Sequence, residues 1–171
     1  MNYPRIFVTG LGMITPLGLN APSSWHNLVN GVGGIDFISS FDAEGFETRF
    51  AAEVKGFNPG DFLDAKKARR MDRFSQFAMV AAQESSAQAQ LDMSKVDATR
   101  VITIVGSGIG GIGTLSEQWQ VLKDRGPTRV SPFLIPMMLP DMASGNVSMS
   151  LGTKGPNFCV TSSCSSGAEA I

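Results

Sequence analysis

The chain has 171 residues, enough for one domain with a sizeable core, and its formal net charge of −1 gives no global pull toward nucleic acid or a membrane surface. Apolar residues make up 43% of it, too many for a disordered chain despite nineteen glycines and nine prolines, and no apolar run is long enough to span a bilayer. Two cysteines and the lack of a secretory signal point to a reducing, cytoplasmic compartment.

The elements alternate between strand and helix. Ile6 to Thr9 reads as a short strand ended by Gly10. Ser23 can cap a helix that turns Trp25, Leu28 and Val29 inward, with Gly31 as its stop. Phe50 to Val54 reads as a minor strand. A long helix is expected over about Ala68 to Gln90, with Met71, Phe74, Ala78, Ala81 and Ala82 along one stripe. Val101 to Val105 is the strongest buried-strand signal, followed by a glycine cluster and a helix from Leu115 to Lys123. Pro127, Pro132, Pro136 and Pro140 mark an irregular connection, and Met142 to Leu151 reads as another helix. A last strand runs from Phe158 to Ser162, with Phe158, Val160 and Ser162 on one face and Cys159 and Thr161 on the other. This order implies a layered α/β fold with a largely parallel sheet.

Cys164 follows that strand, in a string of small residues from Ser162 to Gly167 where a backbone can bend sharply, and Ala168, Glu169, Ala170 and Ile171 favour helix. A thiol beside a helix N-terminus is favoured as thiolate, and the unpaired amides there could stabilise an oxyanion. A small packed thiol is an equally good reading of the local chemistry. The segment from Cys159 to Cys164, if extended, spans roughly 16 Å, against the ~7 Å that a disulfide allows. Metal binding has no better support: His26 is the one histidine, and no Cys-x-x-Cys occurs.

Two further patterns have both a plain and a sharper reading. Gly106, Gly108 and Gly111 satisfy the dinucleotide fingerprint after a strand and before a helix. The acidic partner fails, since Asp124 sits at a helix end with no strand between, so close helix–strand packing is the preferred role for these glycines. Gly10-Leu-Gly12 fails sooner, with Thr15 in the third glycine position. Lys66, Arg69, Arg70 and Arg73 fall at helical spacing, either as a solvated face or as a docking patch for an acidic partner. Nucleic acid fits poorly, because no aromatic residue interleaves the charges.

Four segments together resemble the N-terminal part of a β-ketoacyl-acyl carrier protein synthase of the elongating type, in the thiolase-like superfamily. They are Val8 to Gly18, Arg69-Arg-Met-Asp-Arg-Phe74, Gly106 to Gly111, and Ser131 through Gly155-Pro156 to Cys164-Ser-Ser-Gly167. The resemblance implies that residues 1–171 are one incomplete ketoacyl synthase domain, the N-terminal half of a duplicated α-β-α-β-α architecture. It implies a decarboxylative Claisen condensation without metal or organic cofactor, the phosphopantetheine being carried by the partner acyl carrier protein. Cys164 would accept the acyl group, and its backbone N–H would supply one oxyanion donor. Ile109 matches a position lining the acyl pocket near the interface of a homodimer. Leu134 stands where some members place a phenylalanine, a departure that bears on chain-length preference. Lys66, Arg69, Arg70 and Arg129 match positions that dock the carrier protein. The family's catalytic histidines and lysine have no counterpart in these residues; His26 is expected to be exposed or capping, and the 171 residues alone are expected not to condense. The alternatives are a polyketide-type ketosynthase, a non-condensing chain-length partner, which usually lacks the nucleophile, and, on the glycine cluster, a nucleotide-binding oxidoreductase.

Overall fold

A computed structural model describes residues 4–171. Two compact units divide the chain, one made of Met1–Asn58 and Val80–Leu91, the other of Pro59–Met79 and Asp92–Ile171.

In the first unit, helix α1 (Ala21–Val29) begins earlier than expected: Asn20, not Ser23, caps it, its side-chain oxygen accepting from the Ser23 amide at 2.8 Å. Pro22 is in the first turn, where its missing N–H costs nothing. Gly31 follows with φ of 70°, as a helix stop requires. Trp25, Leu28 and Val29 do not point inward; they are 63%, 58% and 59% exposed. Trp25 and Leu28 instead wall an apolar groove with Leu17, Val32 and Ile35. The expected minor strand shortens to β2 (Phe50–Ala51), paired antiparallel with β1 (Asp36–Phe37).

Ile6 to Thr9 forms no strand. Nothing pairs with this run as a sheet neighbour among the described residues, and Ile6, Phe7 and Val8 are exposed. Just beyond it the chain is fastened by side chains. Met13 N–H donates to Glu84 Oε2 and Ala21 N–H to Glu84 Oε1, both at 2.8 Å, and Leu11 N–H donates to Gln88. Gly10 and Gly12 lie directly on the backbone of Ser85 and Ala81, where a Cβ would overlap a carbonyl oxygen. The Gly10-Leu-Gly12 pattern is therefore a close approach to a helix.

In the second unit the long helix is broken. Helix α2 (Ala65–Ala68) is capped by Asp64, and α3 (Arg73–Gln88) starts five residues later. Between them the amides of Arg70 and Met71 reach back only three residues, to Lys67 and Ala68. Asp72 then accepts from Phe74 N–H at 3.2 Å, a local side-chain bond that competes with helix continuation. Residues 73–79 of α3 belong to this unit and 80–88 to the first. Strands β3 (Thr103–Gly106) and β4 (Asn157–Val160) pair parallel, Thr103 opposite Asn157 and Gly106 opposite Val160. Parallel pairing needs a crossover, and α4 (Ile112–Arg125), α5 (Leu134–Met138) and α6 (Met142–Leu151) lie on it. Pro136 is tolerated inside α5 because it falls in the first turn, where amides lack partners.

Helix α6 packs on both strands and supplies Ala143 and Val147 to a core shared with Leu63, Ala68, Met71 and Met79. The fully buried Ser75 hydroxyl has no hydrogen-bond partner among the described residues, whereas the other buried polar groups of this unit are paired. Ser144, fully buried, donates to Asn157 Oδ1 and accepts the Asn157 amide on its carbonyl, both at 2.9 Å. Thr103 and Thr153 hydroxyls meet at 2.8 Å. Burying these oxygens unpaired would cost about 1–3 kcal/mol each.

Candidate active site

Strand β4 delivers Cys164. After Val160 the chain enters a 3-10 turn, Ser163–Ser165, and then helix α7 (Ser166–Glu169). The strand ends two residues earlier than expected, and the thiol lies in the turn itself, two residues ahead of α7. Ser163, just before Cys164, has φ of 54°. A non-glycine residue in the left-handed region costs on the order of 1–3 kcal/mol and needs its surroundings to hold it.

The serines hold it. Ser166, 2% exposed, accepts from the Ser162 amide at 2.9 Å and donates to the Ser163 carbonyl at 2.7 Å, so one hydroxyl closes the turn from both sides. Ser165 Oγ donates to Glu169 Oε1 at 2.9 Å. Hydrogen bonds from the Ser162 and Ser165 hydroxyls hold the Glu169 carboxyl below its ordinary value. Cys164 itself is exposed, and Cys159 is half-buried with its sulfur beside Thr161 Oγ1 at 3.6 Å; both thiols are free. By residue type alone these serines are only small residues. Their spacing of four, Ser162 to Ser166, was the available signal for a side-chain-closed turn.

The glycine cluster presses on this turn. A Cβ on Gly106 would overlap the Ser166 carbonyl, and one on Gly108 would come within 3.2 Å of the Ser163 carbonyl oxygen. Gly110 has φ of 71° and, with Gly111, abuts the carbonyls of Met138 and Met137. The Ser107 amide donates to the Val160 carbonyl at 3.0 Å, and the Gly111 amide to Met138 at 2.9 Å. The glycines thus face protein backbone. Asp124, which a dinucleotide would need at a strand end, lies exposed on α4 and receives the Gln120 amide.

The same loop carries Ile109, 64% exposed, at its tip. Leu134 opens α5, half-buried, and α5 ends at the Met138 carbonyl that the loop touches. The structure therefore brings the Ile109 loop against the Cys164 turn on one side and against the end of α5 on the other. Lys66, Arg69, Arg70 and Arg129 are all exposed. Lys66, Arg69, Arg70 and Arg73 do not form the continuous helical stripe that their spacing implies, because the chain leaves α2 at Arg69 and Arg73 opens α3. Lys66 is on α2, Arg70 stacks on the Phe133 ring at 4.7 Å, and Arg129 ends a separate 3-10 turn, Pro127–Arg129. His26 is exposed in the last turn of α1, where its ring meets Asn30 at 3.5 Å. No helix among the described residues is long and apolar enough to cross a membrane.

Residues 4–171 match the family model of the β-ketoacyl synthase N-terminal domain, nearly the whole chain. The chain belongs to this family. It is 46% identical over 98% of its length to 3-oxoacyl-[acyl-carrier-protein] synthase 2 of Staphylococcus aureus (strain COL). Identity is also 46%, over 98% of the chain, to the synthase of the same name from Synechocystis sp. (strain ATCC 27184 / PCC 6803 / Kazusa). The chain spans about 40% of the length of these two relatives. Among solved structures, the ishigamide ketosynthase/chain length factor superposes with a TM-score of 0.80 at 25% identity, covering 90% of this chain and 39% of that one. The α/β, thiolase-like fold that the four sequence segments implied is thus the fold of this ketoacyl synthase chain.

Proposed function

We propose that Cys164 is the acyl-accepting nucleophile of a 3-oxoacyl-[acyl-carrier-protein] synthase whose N-terminal ketoacyl synthase domain is the 171 residues of this chain. The observation that carries this reading is the exposed thiol on a turn built to hold a strained residue, Ser163, in front of it. The names of the two relatives support it. In the first half-reaction the Cys164 sulfur attacks the thioester carbonyl of acyl carrier protein. A carbon–sulfur bond forms, the tetrahedral oxyanion collapses, and the carrier's phosphopantetheine thiolate leaves and takes up a proton. The Cys164 backbone N–H provides one oxyanion donor. In the second, malonyl-carrier protein loses carbon dioxide. The electron pair left on its α-carbon attacks the acyl carbonyl, and the Cys164 thiolate departs, lengthening the acyl chain by two carbons.

The donors and bases that polarise the malonyl thioester come from residues beyond this chain, and no metal or organic cofactor is required by these steps. Ile109 and Leu134 border the acyl chain, while Lys66, Arg69, Arg70 and Arg129 receive the acidic carrier. The protein works as a cytoplasmic homodimer in fatty acid elongation. A polyketide-type ketosynthase is the second reading, on the likeness to the ishigamide ketosynthase/chain length factor. The presence of the thiol weighs against a non-condensing partner. The test is condensation by the full-length protein given acyl- and malonyl-carrier protein. Formation of the 3-oxoacyl product with release of carbon dioxide, lost in Cys164→Ala, supports the proposal; product formation that survives Cys164→Ala refutes it.

A further inference from the structure

Helix α4 lacks a cap of its own. Its N-cap residue is Gly111, which has no side chain to offer the first-turn amides. The acceptor arrives from 42 residues earlier: Asp72 Oδ2 takes the Thr114 amide at 3.2 Å and the Thr114 hydroxyl at 2.5 Å. The other carboxylate oxygen takes the Phe74 amide in the first turn of α3. One side chain therefore fastens the first turns of two helices, and Thr114 is buried beneath it. A Cβ on Gly111 would come within 2.9 Å of Asp72 Oδ2, so the glycine also makes room for the carboxylate.

The Ile109 loop hangs between two fastenings. At its start the Ser107 amide is bound to β4, at the Val160 carbonyl, and the Ser107 hydroxyl receives the Gly110 amide at 3.0 Å. At its end stand Gly111 and the α4 cap. Between them Gly108 rests on Ser163, the residue before Cys164. Three of the loop's residues are glycines, which are conformationally permissive, so the loop's shape is set by its ends.

We infer that Asp72 is a positioning residue that fixes the Ile109 loop against the Cys164 turn. The inference rests on the proposed function, in which Cys164 accepts the acyl chain and Ile109 borders it. Asparagine at position 72 has one acceptor oxygen and can serve only one of the two helices; its amide group then faces an N–H donor at the other. Whichever helix keeps the oxygen, the tie between α3 and α4 that holds the loop end is cut, and a long acyl chain, which must pass Ile109, feels this more than an acetyl group does.

The experiment measures loading of acetyl and dodecanoyl thioesters onto Cys164 of the full-length protein, by intact mass. Asp72→Asn lowers the ratio of dodecanoyl to acetyl loading about five-fold, the factor that one ordinary hydrogen bond makes. Thr114→Val lowers the ratio in the same direction, and Thr114→Ser, which keeps the donor, retains it. Simple loss of folded protein would lower both rates together and leave the ratio unchanged. An unchanged ratio in Asp72→Asn, or in Thr114→Val if the first variant does not fold, overturns the positioning role while leaving Cys164 as the acceptor. Wild-type protein that loads neither thioester on Cys164 overturns the proposed function and this inference with it.

Discussion

The Cys164 turn depends most on one hydroxyl, so Ser166→Ala is the sharpest perturbation of it. Ser166 is 2% exposed, and its Oγ both accepts from the Ser162 amide and donates to the Ser163 carbonyl. Alanine leaves one donor and one acceptor without their partner. At about 1–3 kcal/mol for a buried unsatisfied group, and with solvent reaching the exposed Ser163 to replace part of the loss, the variant is destabilised by about 2–3 kcal/mol. The bonds also hold Ser163 at its positive φ, a conformation worth ~1–3 kcal/mol of strain that the turn sheds once released. Two assays separate the effects in the full-length protein. Denaturant unfolding reports the stability loss, and the rate of Cys164 alkylation by iodoacetamide under native conditions reports the turn. The expected result is a lower midpoint together with an altered alkylation rate. Stability within ~0.5 kcal/mol of wild type, the range of an ordinary surface substitution, with an unaltered rate would show that the hydroxyl does not hold the turn.

Other consequences are checked as directly. Gly106→Ala places a methyl group on the Ser166 carbonyl, backbone that has little freedom to retreat, and costs at least the ~1–3 kcal/mol of an overpacked core, read as a lower thermal midpoint. Charge reversal at Lys66, Arg69 and Arg70 to glutamate weakens carrier-protein binding more at low than at high salt, since exposed charges act over a Debye length of about 8–10 Å; equal affinity at every salt concentration would reduce the patch to a solvated face. Glu53 is hydrogen-bonded by Ser40 and Ser39 and lowered to about 2 from an ordinary 4.5. A depressed carboxylate contributes stability above its unfolded pKa, so that contribution is lost as pH falls from about 4.5 to about 2, and Glu53→Gln removes this part of the acid dependence of unfolding.

Much of the second unit was legible in the sequence because its signals are local. Met142 to Leu151 has the bounds the pattern gave, with Gly152 in the left-handed conformation as its stop. The valine- and isoleucine-rich run and the strand before Cys164 pair as β3 and β4, each displaced by a residue or two. The close packing expected of the glycine cluster is present, with Gly106 and Gly108 lying against the Ser166 and Ser163 carbonyls. What was not legible depends on distant partners. The break between α2 and α3 looks like continuous helix by periodicity, and only the Asp72 carboxylate, bonded to both Phe74 and Thr114, shows why a chain stops there. Ile6 to Thr9 has strand chemistry, yet strands need neighbours, and among the described residues none lies beside it. The outward-facing Trp25, Leu28 and Val29 show the same limit: an apolar stripe marks a face to be covered without saying what covers it. At the site, Cys164 and the bend around it are visible from residue types, whereas the hydroxyl network of Ser162, Ser165 and Ser166 leaves only the four-residue spacing of Ser162 and Ser166 as a trace in the sequence.

The most direct test of the account is the site of acyl transfer. Full-length protein incubated with an acyl-carrier protein thioester, digested and sequenced by mass spectrometry, should carry one acyl group on Cys164, with Cys159 unmodified. Cys164→Ser should abolish the thioester adduct. An acyl group found on another residue, or retained in full by Cys164→Ser, would contradict Cys164 as the nucleophile.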